Sequence, residues 1–121
     1  MPRILILEPY LPTGQALATL LKRGGWDVTL SQTEQETLAA LQHYDYDALL
    51  VDLDMTTGDG WRCLQALNLS RPAAPVIVMS AQLQESDLRQ RAETLGASLL
   101  LPKPVGGKRL LMSIDAVLKV T

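Results

Sequence analysis

The sequence predicts a doubly wound α/β protein in which five βα units build a five-stranded parallel sheet. Short apolar runs alternate with longer amphipathic stretches along the chain, and this alternation is typical of βα units. The chain has 121 residues, of which 47% are hydrophobic and 20% are charged. These values fit one globular domain, residues 1–121, and exclude a disordered tail.

The first βα unit begins almost at the N-terminus. Its strand is predicted at residues 4–7, which are all apolar. Two prolines then form a connection to a helix that we expect to be capped near Thr13, because threonine is a favourable residue at that position. Gly24 and Gly25 are expected to end this helix, since glycine commonly follows the last helical residue.

The second unit carries a clear signal for the start of a helix. A short strand is predicted around residues 28–30, and Thr33 and Glu36 follow it with the spacing of a capping box. In that motif, the hydroxyl and the carboxylate each bind a backbone N–H at the helix start. We expect Leu38 and Leu41 to form the buried stripe of the helix.

The third unit contains the most apolar strand. Residues 48–51 form an uninterrupted apolar run that ends at an aspartate, as expected of a central parallel strand that helices cover on both faces. The next helix is predicted to start near Asp59. Leu64 and Leu67 lie at a spacing that places both on one helix face.

The last two units complete the predicted sheet. Strands are expected at residues 76–79 and 99–101, with a helix at residues 85–95 between them. That helix is the most polar of the five, so little apolar area holds it to the sheet. In the last helix, Leu110 and Ile114 begin an apolar stripe with helical spacing.

Composition excludes several classes of function. The apolar runs are far shorter than the roughly 20 residues of a membrane span, and residues 4–7 are too few for a signal peptide. We therefore expect a cytoplasmic protein that does not contact a membrane. The 11 basic and 13 acidic side chains give a net charge of −2, which argues against direct nucleic-acid binding. Cys63 is the only cysteine, which excludes an intrachain disulfide or a cysteine-based metal site.

Four polar residues stand where predicted strands end. Ligands of open α/β sheets bind beyond the carboxyl ends of the strands, and the first polar residues there are Glu8, Asp52, Ser80 and Lys103. Carboxylates hold divalent cations, whereas an ammonium and a hydroxyl bind phosphate oxygens. Together these groups suit a phosphoryl group with a divalent cation.

Five short segments carry a family resemblance, in order and at the family's spacing. They are Ile4-Leu5-Ile6-Leu7-Glu8, Leu49-Leu50-Val51-Asp52 with the later Asp59-Gly60, Pro75-Val76-Ile77-Val78-Met79-Ser80-Ala81, Gly96-Ala97 and Lys103-Pro104. With these segments, the chain resembles a response regulator receiver domain of bacterial two-component signalling. The resemblance covers the chain from the first strand to the last helix.

The resemblance implies a flavodoxin-like sheet of order 2-1-3-4-5 and a regulatory phosphoacceptor rather than an enzyme. Asp52 would accept a phosphoryl group from a histidine kinase or a phosphotransfer protein. Lys103 would pair with the acyl phosphate, Ser80 would donate a hydrogen bond to it, and Lys103-Pro104 would be a cis peptide. The surface of the fourth helix, fifth strand and fifth helix would then switch, controlling a partner, an output domain or a homodimer.

The resemblance also implies an Mg²⁺ site formed by Glu8, Asp52 and Asp54. Pro9 stands where the family has a second acid, so we expect weak Mg²⁺ binding, because affinity depends on the number of charged ligands. We hypothesise that the Asp54 carboxylate partly compensates for Pro9. The alternative is that Asp54 is simply an exposed loop acid.

Two other functions stay open. A degenerate receiver would bind a partner without being phosphorylated; Pro9 favours it, as does Leu100, which stands where the family has an aromatic ring. The retained Asp52, Ser80 and Lys103 argue against it. The segment Asp52-Leu53-Asp54-Met55-Thr56 also resembles the start of haloacid-dehalogenase-type phosphatases, in which the second aspartate is a general acid. That motif usually follows a first strand, not a third.

Overall fold

The computed structural model describes the backbone of residues 1–120 and the side chains of residues 1–118. Thr121, the last residue of the predicted domain, lies outside the described residues. Strands and helices alternate in the order β1 (Arg3–Leu7), α1 (Leu11–Arg23), β2 (Asp27–Ser31), α2 (Glu34–His43), β3 (Ala48–Asp52), α3 (Asp59–Ser70), β4 (Val76–Ser80), α4 (Ser86–Thr94), β5 (Leu99–Pro102) and α5 (Gly107–Val120). None of the helices described is long and apolar enough to cross a membrane.

The five strands form one parallel sheet in the order β2-β1-β3-β4-β5. This confirms the predicted α/β class and the strand order that the resemblance implied. Every residue of β3 and β4 is buried, because helices cover both faces of the sheet at its centre. The ends of these two strands therefore lie inside the protein, where polar side chains need partners.

Successive residues of each strand point to opposite faces of the sheet and build two separate cores. Leu5 and Leu7 belong to the cluster that includes Leu64 and Leu67 of α3. Ile4 and Ile6 belong to the second cluster, which also contains Trp26. The alternation follows from the two-residue period of a strand, and it fixes which side chains reach each end of the sheet.

The start of α1 differs from the prediction. The helix begins at Leu11, two residues before the expected cap at Thr13, and Pro12 lies in its first turn. Proline is well tolerated there because the first backbone N–H groups of a helix have no intrahelical acceptor. The two prolines were read as a connection, whereas only Pro9 lies outside the helix.

The hydroxyl half of the predicted capping box of α2 is confirmed, but the buried stripe of this helix is not. The Thr33 hydroxyl accepts from the Glu36 N–H at 3.1 Å. The Glu36 carboxylate accepts from the Gln32 N–H at 3.0 Å, one residue before the N-cap Thr33. Leu38 and Leu41 are only partly buried, and Thr37 is the buried residue of this helix. Thr37 can be buried because its hydroxyl lies 2.7 Å from that of Ser31 at the end of β2, which satisfies both groups.

The last two helices match their predicted characters. In α4, a fully described helix, Ala92 alone is buried, as expected of a helix with few apolar residues. In α5, Leu110 and Ile114 lie fully in the second core cluster. The two helices therefore differ in how firmly apolar packing holds them to the sheet.

Candidate functional site

The strand register brings the predicted polar residues to one edge of the sheet. Leu7 pairs with Val51 in the β1–β3 ladder, so Glu8 and Asp52, the residues that follow, are neighbours. Ser80 ends β4 and pairs with Pro102 of β5, and Lys103 follows directly. Each side chain is thus positioned by a buried strand rather than by a loop alone.

Asp52 is held by the two donors nearest to it. The Lys103 ammonium donates to Asp52 Oδ1 at 2.8 Å, and the backbone N–H of Asp54 donates to the same oxygen at 2.9 Å. Asp52 is 4% exposed, so water screens this ion pair only weakly. The Lys103-Pro104 peptide is cis, as expected.

The Asp52 backbone is held by the start of α3. A Cβ atom at Gly60 would clash with the Asp52 carbonyl oxygen and would lie 3.1 Å from its carbonyl carbon. Only glycine therefore allows the helix to approach the end of β3 this closely. This contact gives a physical reason for the glycine of the Asp59-Gly60 segment, which is one of the segments that carry the family resemblance.

Asp54 lies in a different environment from the one predicted. Its Oδ1 accepts from the Ser80 hydroxyl at 2.6 Å, and its Oδ2 accepts from the Ala81 N–H at 2.8 Å. The Lys103 ammonium is 3.3 Å from Oδ2. Partial burial acts to raise the pKa of Asp54, but the bonds from Ser80 and Ala81 and the charge of Lys103 hold it below its ordinary value. Asp54 is therefore an ionised carboxylate that binds three donors.

Glu8 is the carboxyl group of the site with the least support. It is 6% exposed, and within the described part of the chain its Oε2 atom is buried without a hydrogen-bond partner. Burial, a hydrogen bond with Asp52 and the charge of Asp52 raise the pKa of Glu8 to about 8. At neutral pH the Glu8 carboxyl therefore holds a proton beside the Asp52 carboxylate.

Asp59 begins α3, as the sequence predicts, and its carboxylate binds groups at the starts of α2 and α3. Its Oδ2 accepts from the Glu34 N–H at the start of α2 at 2.9 Å, and its Oδ1 binds Arg62. The bond from the Glu34 N–H, a bond with the Thr57 hydroxyl and the charge of Arg62 lower the pKa of Asp59. Asp59 thus joins the starts of α2 and α3, a structural task that its place in the motif did not reveal.

An open crevice of about 480 Å³ gives access to the site from solvent. Glu8, Ala81 and Lys103 line it beside Thr13 of α1. The side chain of Ala81 adds only a methyl group to its wall. Asp52 is 4% exposed and is not part of the crevice wall, so from this side a small anion or the reactive group of a partner reaches Lys103, which binds Asp52.

Comparison with known proteins assigns this edge of the sheet to a family. The profile of the response regulator receiver domain matches residues 4–115, nearly the whole chain. The chain is a response regulator receiver domain. Receiver domains are regulatory phosphoacceptor domains that generally bind Mg²⁺ at an acidic pocket.

Similar proteins agree with this assignment. The receiver domain is 32% identical over 92% of its length to a response regulator receiver protein of Anaeromyxobacter sp. (strain Fw109-5), and covers 46% of that protein. It is 26% identical over 97% of its length to the cell cycle response regulator CtrA of Brucella ovis, and covers 50% of it. The chain thus spans about half the length of the curated relatives it matches.

A solved structure shows the same fold. The CheY-like response regulator receiver domain protein of Methanospirillum hungatei JF-1 superposes with a TM-score of 0.90, at 22% identity over 99% of this chain and 95% of that one. The match supports the flavodoxin-like arrangement of five strands and five helices. At this identity, it is the fold that the two proteins share.

The receiver domain has two carboxyl groups that fit a divalent cation. The Glu8 side chain lies beside Asp52, and its buried Oε2 atom has no hydrogen-bond partner among the described residues. Hard carboxylate oxygens are the ligands that Mg²⁺ prefers. The Asp54 carboxylate faces Ser80 instead, and in the part of the chain described here no three His, Cys, Asp or Glu side chains form a metal-binding group. Glu8 and Asp52 thus form the adjacent carboxyl pair of this site, and a contribution of the Asp54 carboxylate to metal binding stays a prediction.

Two residues that depart from the family pattern have ordinary surroundings. Pro9 is exposed, and its carbonyl accepts from the Gln32 side chain at 3.0 Å. Leu100 is partly buried and packs against the first core cluster. Two polar groups of the site, the backbone N–H groups of Ala81 and Asp54, have no signal in the sequence, because every residue except proline carries such a donor.

Proposed function

We propose that Asp52 accepts a phosphoryl group from the phosphohistidine of a histidine kinase or a phosphotransfer protein. The observation that carries the proposal is the ion pair between the Lys103 ammonium and the buried Asp52 carboxylate at 2.8 Å. A lysine at this distance orients the carboxylate and offsets the charge that a phosphoryl group adds. The open crevice lined by Glu8 and Lys103 exposes the ion-pair partner of Asp52 to solvent, and we propose that the donor approaches from this side.

The transfer needs an in-line displacement at phosphorus. An Asp52 carboxylate oxygen forms a bond to phosphorus while the P–N bond of the phosphohistidine breaks, and the imidazole leaves with the bonding electrons. Lys103, the Ser80 hydroxyl and the Ala81 N–H are the donors nearest to the new acyl phosphate. Their task is to bind its oxygens, since a loose transition state gains more from charge neutralisation than from proton transfer.

Glu8 and Asp52 are the side chains that would hold Mg²⁺, with the backbone carbonyl of Asp54 as a further ligand. The bound ion would supply positive charge to the phosphoryl oxygens. To bind it, Glu8 must first lose the proton that its raised pKa retains at neutral pH. Competition with this proton and the missing second acid at Pro9 both support weak binding.

Phosphorylation would act on the surface formed by α4, β5 and α5. Since Ala92 is the buried residue among those described in α4, this helix can shift with little loss of apolar packing. Leu100 belongs to β5 and packs against the core cluster that contains Ala92. We propose that the shift changes the affinity of this surface for a partner or a second copy of the chain.

A receiver that works without phosphorylation is the second candidate. The contacts of Asp54 favour this candidate, because the donors of Ser80, Ala81 and Lys103 already bind the Asp54 carboxylate. The phosphatase alternative receives no such support. Its second aspartate would have to give up a proton as a general acid, whereas the lowered pKa of Asp54 keeps that carboxylate ionised.

Phosphorylation can be tested with a small phosphodonor. The chain is incubated with acetyl phosphate and Mg²⁺, and its intact mass is measured beside that of Asp52→Asn. We expect one added phosphoryl group on the wild type and none on the variant. An unmodified wild type at saturating Mg²⁺, with folding verified by circular dichroism, would favour the second candidate.

A further inference from the structure

We propose that the Asp54 carboxylate is an internal competitor that occupies the donors of the phosphoryl site. The proposal rests on the proposed function, because it concerns how readily Asp52 can carry a phosphoryl group. Ser80 Oγ, the Ala81 N–H and the Lys103 ammonium converge on one carboxylate within 2.6 to 3.3 Å. An anion held by a hydroxyl, an amide and an ammonium in this arrangement resembles a phosphoryl group in its contacts.

The geometry makes the competition direct. Lys103 touches both Asp52 Oδ1 at 2.8 Å and Asp54 Oδ2 at 3.3 Å, so its ammonium is shared by the two carboxylates. The Ser80 hydroxyl has one proton, and it donates that proton to Asp54 while accepting from the Gln82 N–H at 3.0 Å. An oxygen bound to phosphorus on Asp52 can receive the Ser80 hydroxyl proton only after Asp54 has left it, whereas the Lys103 ammonium has three N–H groups and can bind both anions.

Burial makes the displacement costly. Ser80 is fully buried, so its hydroxyl cannot turn to bulk water when it loses Asp54, and it must find the incoming anion instead. Charge-assisted hydrogen bonds of this kind are stronger than neutral ones. Asp54 is therefore a positioning residue that acts on Asp52 through Ser80, Ala81 and Lys103.

The competition has a consequence for the resting state. The unphosphorylated chain already carries an anion on Ser80 and Lys103, so the hydroxyl is held at the site without a phosphoryl group. Phosphorylation then exchanges one bound anion for another rather than filling a free site. The free energy gained from the hydrogen bond of Ser80 to the phosphoryl group is therefore smaller than in a chain without the Asp54 carboxylate.

The contact itself can be tested in the free protein. We compare ¹H–¹⁵N spectra of the wild type, Asp54→Ala, Asp54→Asn and the matched control Asp45→Ala, which removes an exposed loop carboxylate. The Ala81 amide proton should move upfield in Asp54→Ala, less in Asp54→Asn, and not at all in the control. An Ala81 resonance that is unchanged in Asp54→Ala would overturn the proposal whatever the phosphorylation state of Asp52.

The competition is tested with beryllofluoride, a tetrahedral anion that coordinates a carboxylate oxygen. In the presence of Mg²⁺, the same Ala81 resonance reports the binding of beryllofluoride. We expect Asp54→Ala to bind this anion about tenfold more tightly than the wild type, which corresponds to ~1.4 kcal/mol of binding free energy. Asp45→Ala should bind like the wild type. Equal affinities for wild type and Asp54→Ala, or no binding by either, would overturn the proposal.

The same variants separate this proposal from the proposed function. A wild type that acetyl phosphate leaves unmodified, together with a phosphorylated Asp54→Ala, would show that the competitor blocks the reaction; it would support the competitor and count against phosphorylation of the natural chain. Phosphorylation of the wild type at the rate of Asp54→Ala would support the proposed function and overturn the competitor. The two ideas therefore fail on different results.

Discussion

The close approach of α3 to the end of β3 predicts that Gly60→Ala damages both stability and the site. Gly60 is a buried residue in the first turn of α3, and an added Cβ would lie 3.1 Å from the Asp52 carbonyl carbon and 3.2 Å from Leu53 Cα, with the Asp52 carbonyl oxygen closer still. All three atoms belong to the backbone of the central strand and its continuation. No flexible side chain can therefore move aside to admit the methyl group.

Two opposing effects decide the size of the change. Alanine favours a helix over glycine by about 1 kcal/mol, which would stabilise α3. Forcing a methyl group into a packed interior costs about 1–3 kcal/mol, and the upper end applies because the contacts at Gly60 are backbone atoms. We expect Gly60→Ala to lower the free energy of unfolding by about 2 kcal/mol, and thus the urea midpoint by about 1 M.

Equilibrium unfolding in urea measures this change, with Gly14→Ala as the matched control. Gly14 is also a buried glycine in a helix, α1, but a Cβ built there meets side-chain atoms of Leu30 and Glu8 at ordinary contact distances of 3.5 to 3.7 Å, so that variant should be neutral or stabilised by up to about 1 kcal/mol. Because Asp52 must shift with its own carbonyl, Gly60→Ala should also slow phosphorylation by acetyl phosphate. A midpoint for Gly60→Ala at or above that of the wild type would refute the reasoning.

Three further predictions concern charged and buried groups of the same region. The pKa of Glu8 is about 8 in the folded chain, against an ordinary value of 4.5. Between these pH values the folded state therefore binds more protons than the unfolded state. The free energy of unfolding of the metal-free chain should fall by a few kcal/mol as the pH rises from 4.5 to 8, at about 1.4 kcal/mol per pKa unit. Urea unfolding across this range checks it, and a slope that persists in Glu8→Gln would exclude Glu8 as the cause. Lys103→Met should lower the free energy of unfolding at pH 7 by about 1–2 kcal/mol, less than the 3–5 kcal/mol of a fully buried pair, because Lys103 is 31% exposed; unchanged unfolding would contradict this. Cys63 is fully buried, and burial raises the pKa of its thiol to about 12. An aromatic disulfide reagent should therefore react with Cys63 only after the chain unfolds. Rapid reaction in native buffer would contradict the buried position of this side chain.

The fold was largely predictable because its signals are local and repeated. Apolar runs mark the strands, and the residue after each run reaches the same edge of the sheet. The sequence alone therefore places Asp52 and Lys103 together. The start of α1 was misplaced because proline suits both a connection and a first helical turn. Thr37 was overlooked because its burial depends on the hydroxyl of Ser31, which belongs to another element.

The site was predictable in its members but not in all their contacts. Asp54 was expected near a metal, yet its carboxylate faces Ser80 and the Ala81 N–H. The direction of a loop side chain depends on which donors the rest of the fold leaves without acceptors, and that depends on long-range packing. Gly60 likewise carries no hint in the sequence of how closely α3 approaches Asp52.

The most direct test of the central claim is to identify the atom that carries the phosphoryl group. Borohydride reduces an acyl phosphate to an alcohol and leaves a phosphorylated hydroxyl group unchanged, so treatment of the acetyl phosphate reaction should convert residue 52 to homoserine. Peptide mass spectrometry locates the product, and Asp52→Asn serves as the control. Homoserine at position 52 is the predicted result. A phosphoryl group that survives reduction, or a product at Asp54 or Glu8, would contradict the account.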